Sequence, residues 1–494
     1  MNKKITYAVL AALAISIFVI IIDIQIYQID SNKKTNQNSE EQKATAEDQH
    51  TLTPRKTPYL TLYSLPTGSA PNSILVDKDG MVWVTSSKFK TLYRLDPENN
   101  TIKKYQSTQV DLGYMSWAMI QDNSGFIWFS QFGPDSLVRF DPSNGYFLAF
   151  HPKDSPFQMK YDTRTDDIWF TTLSGTLGLV QKINTNSDID SYKITEFPLG
   201  NNTQTTGLSV NDDSIWVTEL EGKVVKFSPV RASNGTITSI VKTLEIPSEN
   251  KSSFSLPTDI LFAKNDTLWI TEHGPSTLTK FDLHAQKSVR FPTAKSYYHV
   301  ATLPFWLRSS LDNTGIWFNE HEGGSVAFLT NNMTLTEYHV PVVSQAETSL
   351  MLNLSQDPNN PNKLWFSLWS LDEIGVVDKS IPVQFDVHSE NNLIEFTKDK
   401  TQYIIPLEIT KSNGISQNDT VYLNASSTLD SSAELVNMTA SFSKDMVNLD
   451  NMTEPLAIKL ALKEKSVQKG NYTIGVNIGN DQVTRTIFVR VIVD

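Results

Sequence analysis

The chain has 494 residues and carries 42 Lys+Arg against 54 Asp+Glu, a formal net charge of −12, which argues against nucleic acid as a partner. Its length exceeds what one hydrophobic core fills, so at least two folded units are expected, with 24 Phe, 16 Tyr and 10 Trp to fill them. Cysteine is absent, which excludes disulfides, thiolate metal sites, iron–sulfur clusters and cysteine nucleophiles.

At the amino terminus, Ile5 to Ile22 form an 18-residue apolar run interrupted only by Thr6, Tyr7 and Ser16, long enough to cross a bilayer as one helix. Lys3 and Lys4 precede it and Asp23 follows it, so the N-terminus is expected in the cytoplasm and the bulk of the chain outside the cell. A cleaved signal peptide is the alternative, but the run exceeds the usual h-region and no small-x-small site follows it. Residues 1–29 are therefore read as a single-pass transmembrane signal anchor in the cell membrane. Residues 30–57, polar almost throughout, are read as a flexible linker. Twelve Asn-x-Ser/Thr acceptors lie beyond that linker, at Asn99, Asn201, Asn234, Asn250, Asn265, Asn332, Asn353, Asn418, Asn424, Asn437, Asn451 and Asn471, and fit an exported, glycosylated chain.

From residue 58 to 380 one short pattern recurs: apolar, Trp, apolar, then a small polar residue. Its tryptophans are Trp83, Trp128, Trp169, Trp216, Trp269, Trp317 and Trp365, spaced by 45, 41, 47, 53, 48 and 48 residues. A four-stranded propeller blade needs about 40–50 residues, and the intervals show no helical periodicity, so the repeats predict seven blades. Each period reads as an inner strand (Ser73 to Val76), the Trp strand, a strand with apolar-basic-apolar order (Leu92 to Asp96) and an outer aromatic strand (Tyr192 to Pro198). Leu60 to Leu65 look like an outer strand placed ahead of the first blade, whereas the last blade lacks one, so the N-terminal strand is expected to close the ring. The seven Trp side chains are expected to pack between blades.

Residues 381–494 lose the Trp motif but keep alternating strands, which suggests a β-sandwich. Lys469 to Ile474 look like the tyrosine-corner region of an immunoglobulin-like domain. The fold class is thus all-β: a seven-bladed β-propeller plus a C-terminal β-sandwich, preceded by one transmembrane helix.

The blade pattern, together with Thr271-Glu272-His273-Gly274 and Phe318-Asn319-Glu320-His321, resembles the virginiamycin B lyase (streptogramin lyase) propellers over residues 58 to 380. The resemblance implies a seven-bladed propeller whose lyase members bind magnesium and open a cyclic depsipeptide ester by proton abstraction and elimination. Those members carry catalytic histidines on the inner strand. The matching positions here are Asn72, Trp117, Phe157, Thr206, Thr258 and Phe305, with the seventh ambiguous around Thr348 and Ser349, and none can act as a general base.

Three places after each Trp stand Ser86, Gln131, Thr172, Glu219, Glu272, Glu320 and Leu368. If equivalent positions converge, Glu219, Glu272 and Glu320 are candidate ligands for Mg²⁺ or Ca²⁺, and His273 and His321 candidate catalytic bases beside them. The plainer alternative is that the carboxylates bond to neighbouring strands and the histidines pack in loops. Alternation also warns that Glu272 and His273 can point to opposite faces. Trp117, Phe305, Trp306 and Trp369 are candidate lining residues of an apolar ligand pocket on the central face. Two functions stay open: a membrane-tethered extracellular module that binds a ligand or protein partner, or a divalent-metal lyase or lactone hydrolase acting on a cyclic ester. The missing inner-strand histidines favour the first, and the Glu and His residues keep the second alive.

Overall fold

The computed structural model describes residues 41–43, 45–86, 88–183, 191–200, 203–233, 237–247, 255–294, 301–341, 349–390, 392–397, 399–412, 419–427, 438–451, 455–462 and 469–493. The anchor read at residues 1–29 and the acceptors Asn201, Asn234, Asn250, Asn418 and Asn437 lie outside these residues. Among the described residues no helix is long and apolar enough to cross a membrane.

The strands begin where turn chemistry starts them. In the first repeat the Asp77 carboxylate accepts the backbone N–H groups of Asp79 and Met81 and the indole N–H of Trp83 at 2.7 Å. One side chain thus folds the turn and fixes the next strand's Trp. Asp122 does the same for Phe126 and Trp128. The Trp strand that follows is buried along its length in the first blade, Val82–Ser86. The pattern recurs through the repeats because this strand lies second of four and is covered on both faces. The basic residue of the third strand also has a local cause. Register places Arg94 opposite Trp83, Lys226 opposite Trp216 and Lys280 opposite Trp269, and each cation lies 5.5–5.7 Å from its indole, a cation–π pair across the ladder.

Seven antiparallel sheets result. Their inner strands are Pro71–Val76, Met119–Gln121, Pro156–Asp162, Thr205–Val210, Pro257–Ala263, Pro304–Ser309 and Met351–Gln356. Each repeated Trp is buried against the next blade round the ring. Trp83 packs with Phe140, Trp128 with Phe170, Trp169 with Phe227, Trp216 with Phe281 and Trp269 with Phe318. Trp365 completes the circle against Ile74 and Val82 of the first blade.

The N-terminal strand Leu60–Ser64 closes the ring. It pairs antiparallel with Glu373–Asp378 as the outer strand of blade seven. Asp372 anchors the joint by accepting the N–H groups of Gly68 and Ala70 at 2.6 and 2.8 Å. Part of the segment read as a flexible linker is also ordered into strands, which corrects that reading. Thr45–Thr51 pairs with the outer strand of blade one, Glu41–Lys43 with that of blade two, and Arg55–Lys56 with Leu60–Ser64. A polar segment that cannot bury a core can still satisfy an exposed sheet edge with its backbone.

Beyond Asp378 the chain builds two further sheets. One orders Phe385–His388, Gln402–Lys411, Leu456–Leu462 and Met438–Phe442. The other is continuous with blade six: Val483–Val493 pairs with the blade's outer strand, Thr334–His339, and carries Gly470–Gly479, Thr420–Ser427 and Met446–Asn448 beyond it. Residues from both sheets, among them Ile405, Leu407, Ile458, Ile474, Val476 and Val489, join one buried cluster with Trp306, Trp317 and Tyr338 of the ring. The C-terminal sheets and the propeller therefore share hydrogen bonds and core.

Ring closure leads to a direct expectation. A full-length chain lacking residues 57–66 should lose the cooperative melt of the propeller, because blade seven then exposes an unpaired strand and the buried Leu60 and Leu62 are gone. A melt indistinguishable from that of the intact chain would show that the ring does not depend on this strand.

Candidate functional site

Near the entry of the inner strands, register shifts occur between Pro71 and Ile74, Pro156 and Met159, Thr205 and Leu208, Pro257 and Asp259, Pro304 and Leu307, and Met351 and Asn353. Such irregularities re-aim side chains. Here they turn Phe157 and Phe305 inward to meet Trp117, which precedes the inner strand of blade two, over the central axis. The rings of Trp117 and Phe157 are 5.1 Å apart and those of Trp117 and Phe305 6.0 Å. Blades two and six are not neighbours, so the second contact crosses the ring. Trp306 completes the cluster, 5.5 Å from Phe157 and 4.5 Å from Phe305. All four side chains are buried.

Three residues proposed to line a pocket, Trp117, Phe305 and Trp306, are thus the filling of the axis rather than its wall, because strands from facing blades bring large rings into one narrow space. Trp369 packs at the edge of the same buried cluster, half-buried in the short turn Trp369–Leu371 with Lys88 over its ring at 5.3 Å. The inner-strand position of blade seven is held by Leu352, whose carbonyl accepts the Trp306 indole N–H.

His273 and His321 do come together. Each follows the last residue of a Trp strand, and the backbone N–H of each bonds to the carbonyl just ahead of its own inner strand, Leu256 and Leu303, at 2.9 Å. Their rings lie 5.6 Å apart, with Phe305 within 5.5 Å of both. Burial pushes His273 down to about 4, and burial together with His273 pushes His321 down to about 3. His273 Nδ1 has a carbonyl, that of Pro304, at 3.4 Å, and His321 Nδ1 is buried without a partner. Two neutral, weakly basic imidazoles packed against a phenyl ring are poorly suited to take a proton near neutral pH, which corrects their reading as catalytic bases.

The glutamates do not join them. At the end of the Trp strand the side chain lies over its own blade toward the outer strands, so equivalent positions diverge round the ring. Glu272 is fully buried and held by Arg290 at 2.6 and 2.9 Å, with the Ser255 and Thr279 hydroxyls on the same carboxylate. Its acceptor sites are already used. Glu320 is buried beside Glu337 of the blade-six outer strand, and burial and the neighbouring carboxyl hold it well above the usual carboxylate range. A carboxyl kept protonated is a poor cation ligand. Glu219 sits in blade four near Glu221 and Lys223, its pKa raised chiefly by burial. Among the described residues no three His, Asp or Glu side chains approach closely enough to hold a metal ion. The trio Glu219, Glu272 and Glu320 therefore does not fit Mg²⁺ or Ca²⁺.

One acceptor reading is also corrected. Asn353 is buried in the inner strand of blade seven, where its Nδ2 donates to the Trp117 carbonyl at 2.6 Å, so no glycan can be attached. Asn99, Asn265, Asn332, Asn424, Asn451 and Asn471 are exposed.

Beyond the aromatic layer runs a polar one that sequence reasoning missed. Asp259 is fully buried and accepts the Leu307 N–H at 2.9 Å and the Gln158 amide at 3.4 Å, with Arg308 3.5 Å away. The signal was present: Lys160, Asp259 and Arg308 are charges set inside inner strands at the centre of the ring, where an ionised group needs a reason to be.

Two outcomes test this geometry in the full-length chain. Arg290→Leu leaves Glu272 buried without its counter-ion and should cost about 3–5 kcal/mol, while millimolar Mg²⁺ or Ca²⁺ raises the melting temperature of neither protein. For the histidines, folded pKa values below the unfolded 6.5 mean that protonation favours unfolding. Their contribution is complete above pH 6.5 and lost as pH falls toward 4, at up to about 1.4 kcal/mol per pH unit for each ring. His321→Phe should therefore lose less stability than the parent between pH 7 and 5, and equal losses would show that His321 is not buried neutral.

No family model matches the sequence, and no curated protein matches it. Among solved structures the chain is similar to a streptogramin B lyase, at 19% identity and a TM-score of 0.51 over 65% of this chain and 97% of that one. It is similar also to a catalytically inactive virginiamycin B lyase from Staphylococcus aureus with quinupristin, at 19% identity and a TM-score of 0.50 over 65% of this chain and 98% of that one. At this identity the likeness is one of fold, and residues 60–378 form a seven-bladed β-propeller of the architecture found in the streptogramin lyases.

Proposed function

We propose that the chain is a membrane-anchored extracellular β-propeller that serves as a ligand- or partner-binding module, with its C-terminal sheets forming an immunoglobulin-like β-sandwich. The observation that carries the non-catalytic reading is the closure of the axis by Trp117, Phe157 and Phe305. Where the lyase resemblance calls for histidines around an open centre, this chain has rings in contact. The saturation of Glu272 by Arg290 supports the same reading. The anchor reading rests on the run from Ile5 to Ile22 and the preceding lysines. The exposed acceptors are consistent with an outward-facing domain in a host that glycosylates. Pairing of the blade-six edge with Val483–Val493 supports a sandwich held at a fixed angle to the ring, so that both present one rigid surface to a partner.

The test is chemical. Full-length protein incubated with quinupristin and Mg²⁺ should leave the cyclic depsipeptide intact by mass spectrometry, and appearance of the linear product would overturn the non-catalytic reading. On intact cells, a C-terminal tag should be removed by added protease, and protection of the tag would refute the outward orientation.

A further inference from the structure

We propose that the mouth of the central channel on the face opposite the aromatic cluster is an oxyanion-binding site, with Lys160 and Arg308 as its cationic groups. It rests on the binding reading above and gives that reading a location and a ligand chemistry.

The inner strands enter the ring at the aromatic layer and leave it two layers further on. The middle layer holds Gln158, Asp259 and Asn353, buried and bonded across the axis, the last to the Trp117 carbonyl. Two residues later along each strand comes the outermost layer: Leu75, Ile120, Lys160, Ser209, Leu261, Arg308 and Ser355. The same-face spacing of a strand puts them in register with the layer beneath. Leu75, Ile120, Lys160, Leu261 and Arg308 are all only half-buried, whereas the aromatic layer at the other end is buried.

Its charge is unbalanced. Arg308 keeps Asp259 at 3.5 Å, donates to the Leu307 carbonyl at 2.7 Å and has Asn353 at 3.5 Å, which fixes the guanidinium and leaves part of its fork unused. The Lys160 ammonium, from the far side of the ring, has no hydrogen bond or ion pair among the described residues, and Asp259, which attracts it, faces two cations. Burial and the nearby Arg308 together push Lys160 down to about 8, so the ammonium stays charged at neutral pH in a place that disfavours it. The acids of the surrounding turns and strand ends do not neutralise it. Asp77 and Asp122 are committed to indole N–H groups, Asp162 to Arg164 and Asp312 to Lys379. A carboxylate, phosphate or sulfate group entering between Lys160 and Arg308 would supply the missing charge and meet a planar donor fork suited to two oxygens, with Leu75, Ile120 and Leu261 beside its apolar part.

The experiment compares the full-length chain with Lys160→Gln by calorimetric melting at pH 7, in sodium phosphate, sodium acetate or sodium chloride at equal ionic strength. Phosphate or acetate should raise the melting temperature of the parent over chloride, and titration should show at least about tenfold weaker anion binding in the variant. Which anion acts distinguishes phosphate from carboxylate recognition. In chloride the variant should melt no lower than the parent, because it removes an unpaired charge. No anion-specific rise in the parent, an equal rise in the variant, or a variant that melts far lower in chloride would each overturn the proposal. Intact quinupristin alongside absent anion binding would leave the binding reading standing while removing this site from it.

Discussion

Seven inner strands must share one axis, and the volume they leave there is set by the side chains that the strand entries turn inward. That constraint governs what this propeller can do. A ring built with small or polar residues at those positions keeps a cavity in which several blades can contribute to one reaction. Here three of the seven positions are Trp117, Phe157 and Phe305, and the cavity becomes core. The same packing desolvates His273 and His321, so the residues that look most catalytic in the sequence are neutral in the fold because of what lies beside them. Burial of large rings in contact contributes stability, and the architecture gains at its centre what it gives up as a reaction vessel.

The sequence is most legible where one physical cause repeats. Each blade needs a large flat side chain against its neighbour, so Trp recurs at blade length, and the cation of the third strand follows because register places it over that ring. Ring closure could be read for the same reason: an outer strand missing at one end and spare at the other. The site was less legible because period identifies equivalent positions without saying which way their side chains point. Glu219, Glu272 and Glu320 share a position, and that position faces outward along its own blade. Glu272 finds Arg290 18 residues away on a strand with no fixed pattern, a pairing that spacing cannot reveal. Asn353 matches an acceptor motif and is nonetheless an inner-strand residue, since the motif carries no information on burial.

The C-terminal sheets are tied to the ring more closely than a change of composition near residue 380 suggests. Thr334–His339 is an outer strand of the propeller and an inner strand of a larger sheet, and His339 is hydrogen-bonded on both sides, to Ser325 within the blade and to Thr484 beyond it, at 2.9 and 2.8 Å. Covering this edge solves the aggregation hazard of an exposed strand and also fixes the orientation of everything after it. Phe291 of blade five packs on Phe488 at 5.0 Å, so the attachment spreads over two blades. A flexible tether would let the two parts move independently; a shared ladder does not.

Charge placement separates the two ends of the channel. The chain is acidic overall, yet of the charges on the innermost strands Lys160 and Arg308 share Asp259, while Asp162 is taken by Arg164. Ionised groups in such positions are costly unless something answers them, and Lys160 and Arg308 share the one attraction of Asp259, with no hydrogen bond or ion pair to the Lys160 ammonium among the described residues. A structural role would place an acceptor within reach of the ammonium, as Glu272 has for Arg290 elsewhere in the ring. The outermost layer supplies none and instead leaves both cations half-exposed beside apolar neighbours. Closure of one end by aromatic packing makes the opposite mouth the place where a ligand can enter the axis, and the residues waiting there set the sign of what it must carry.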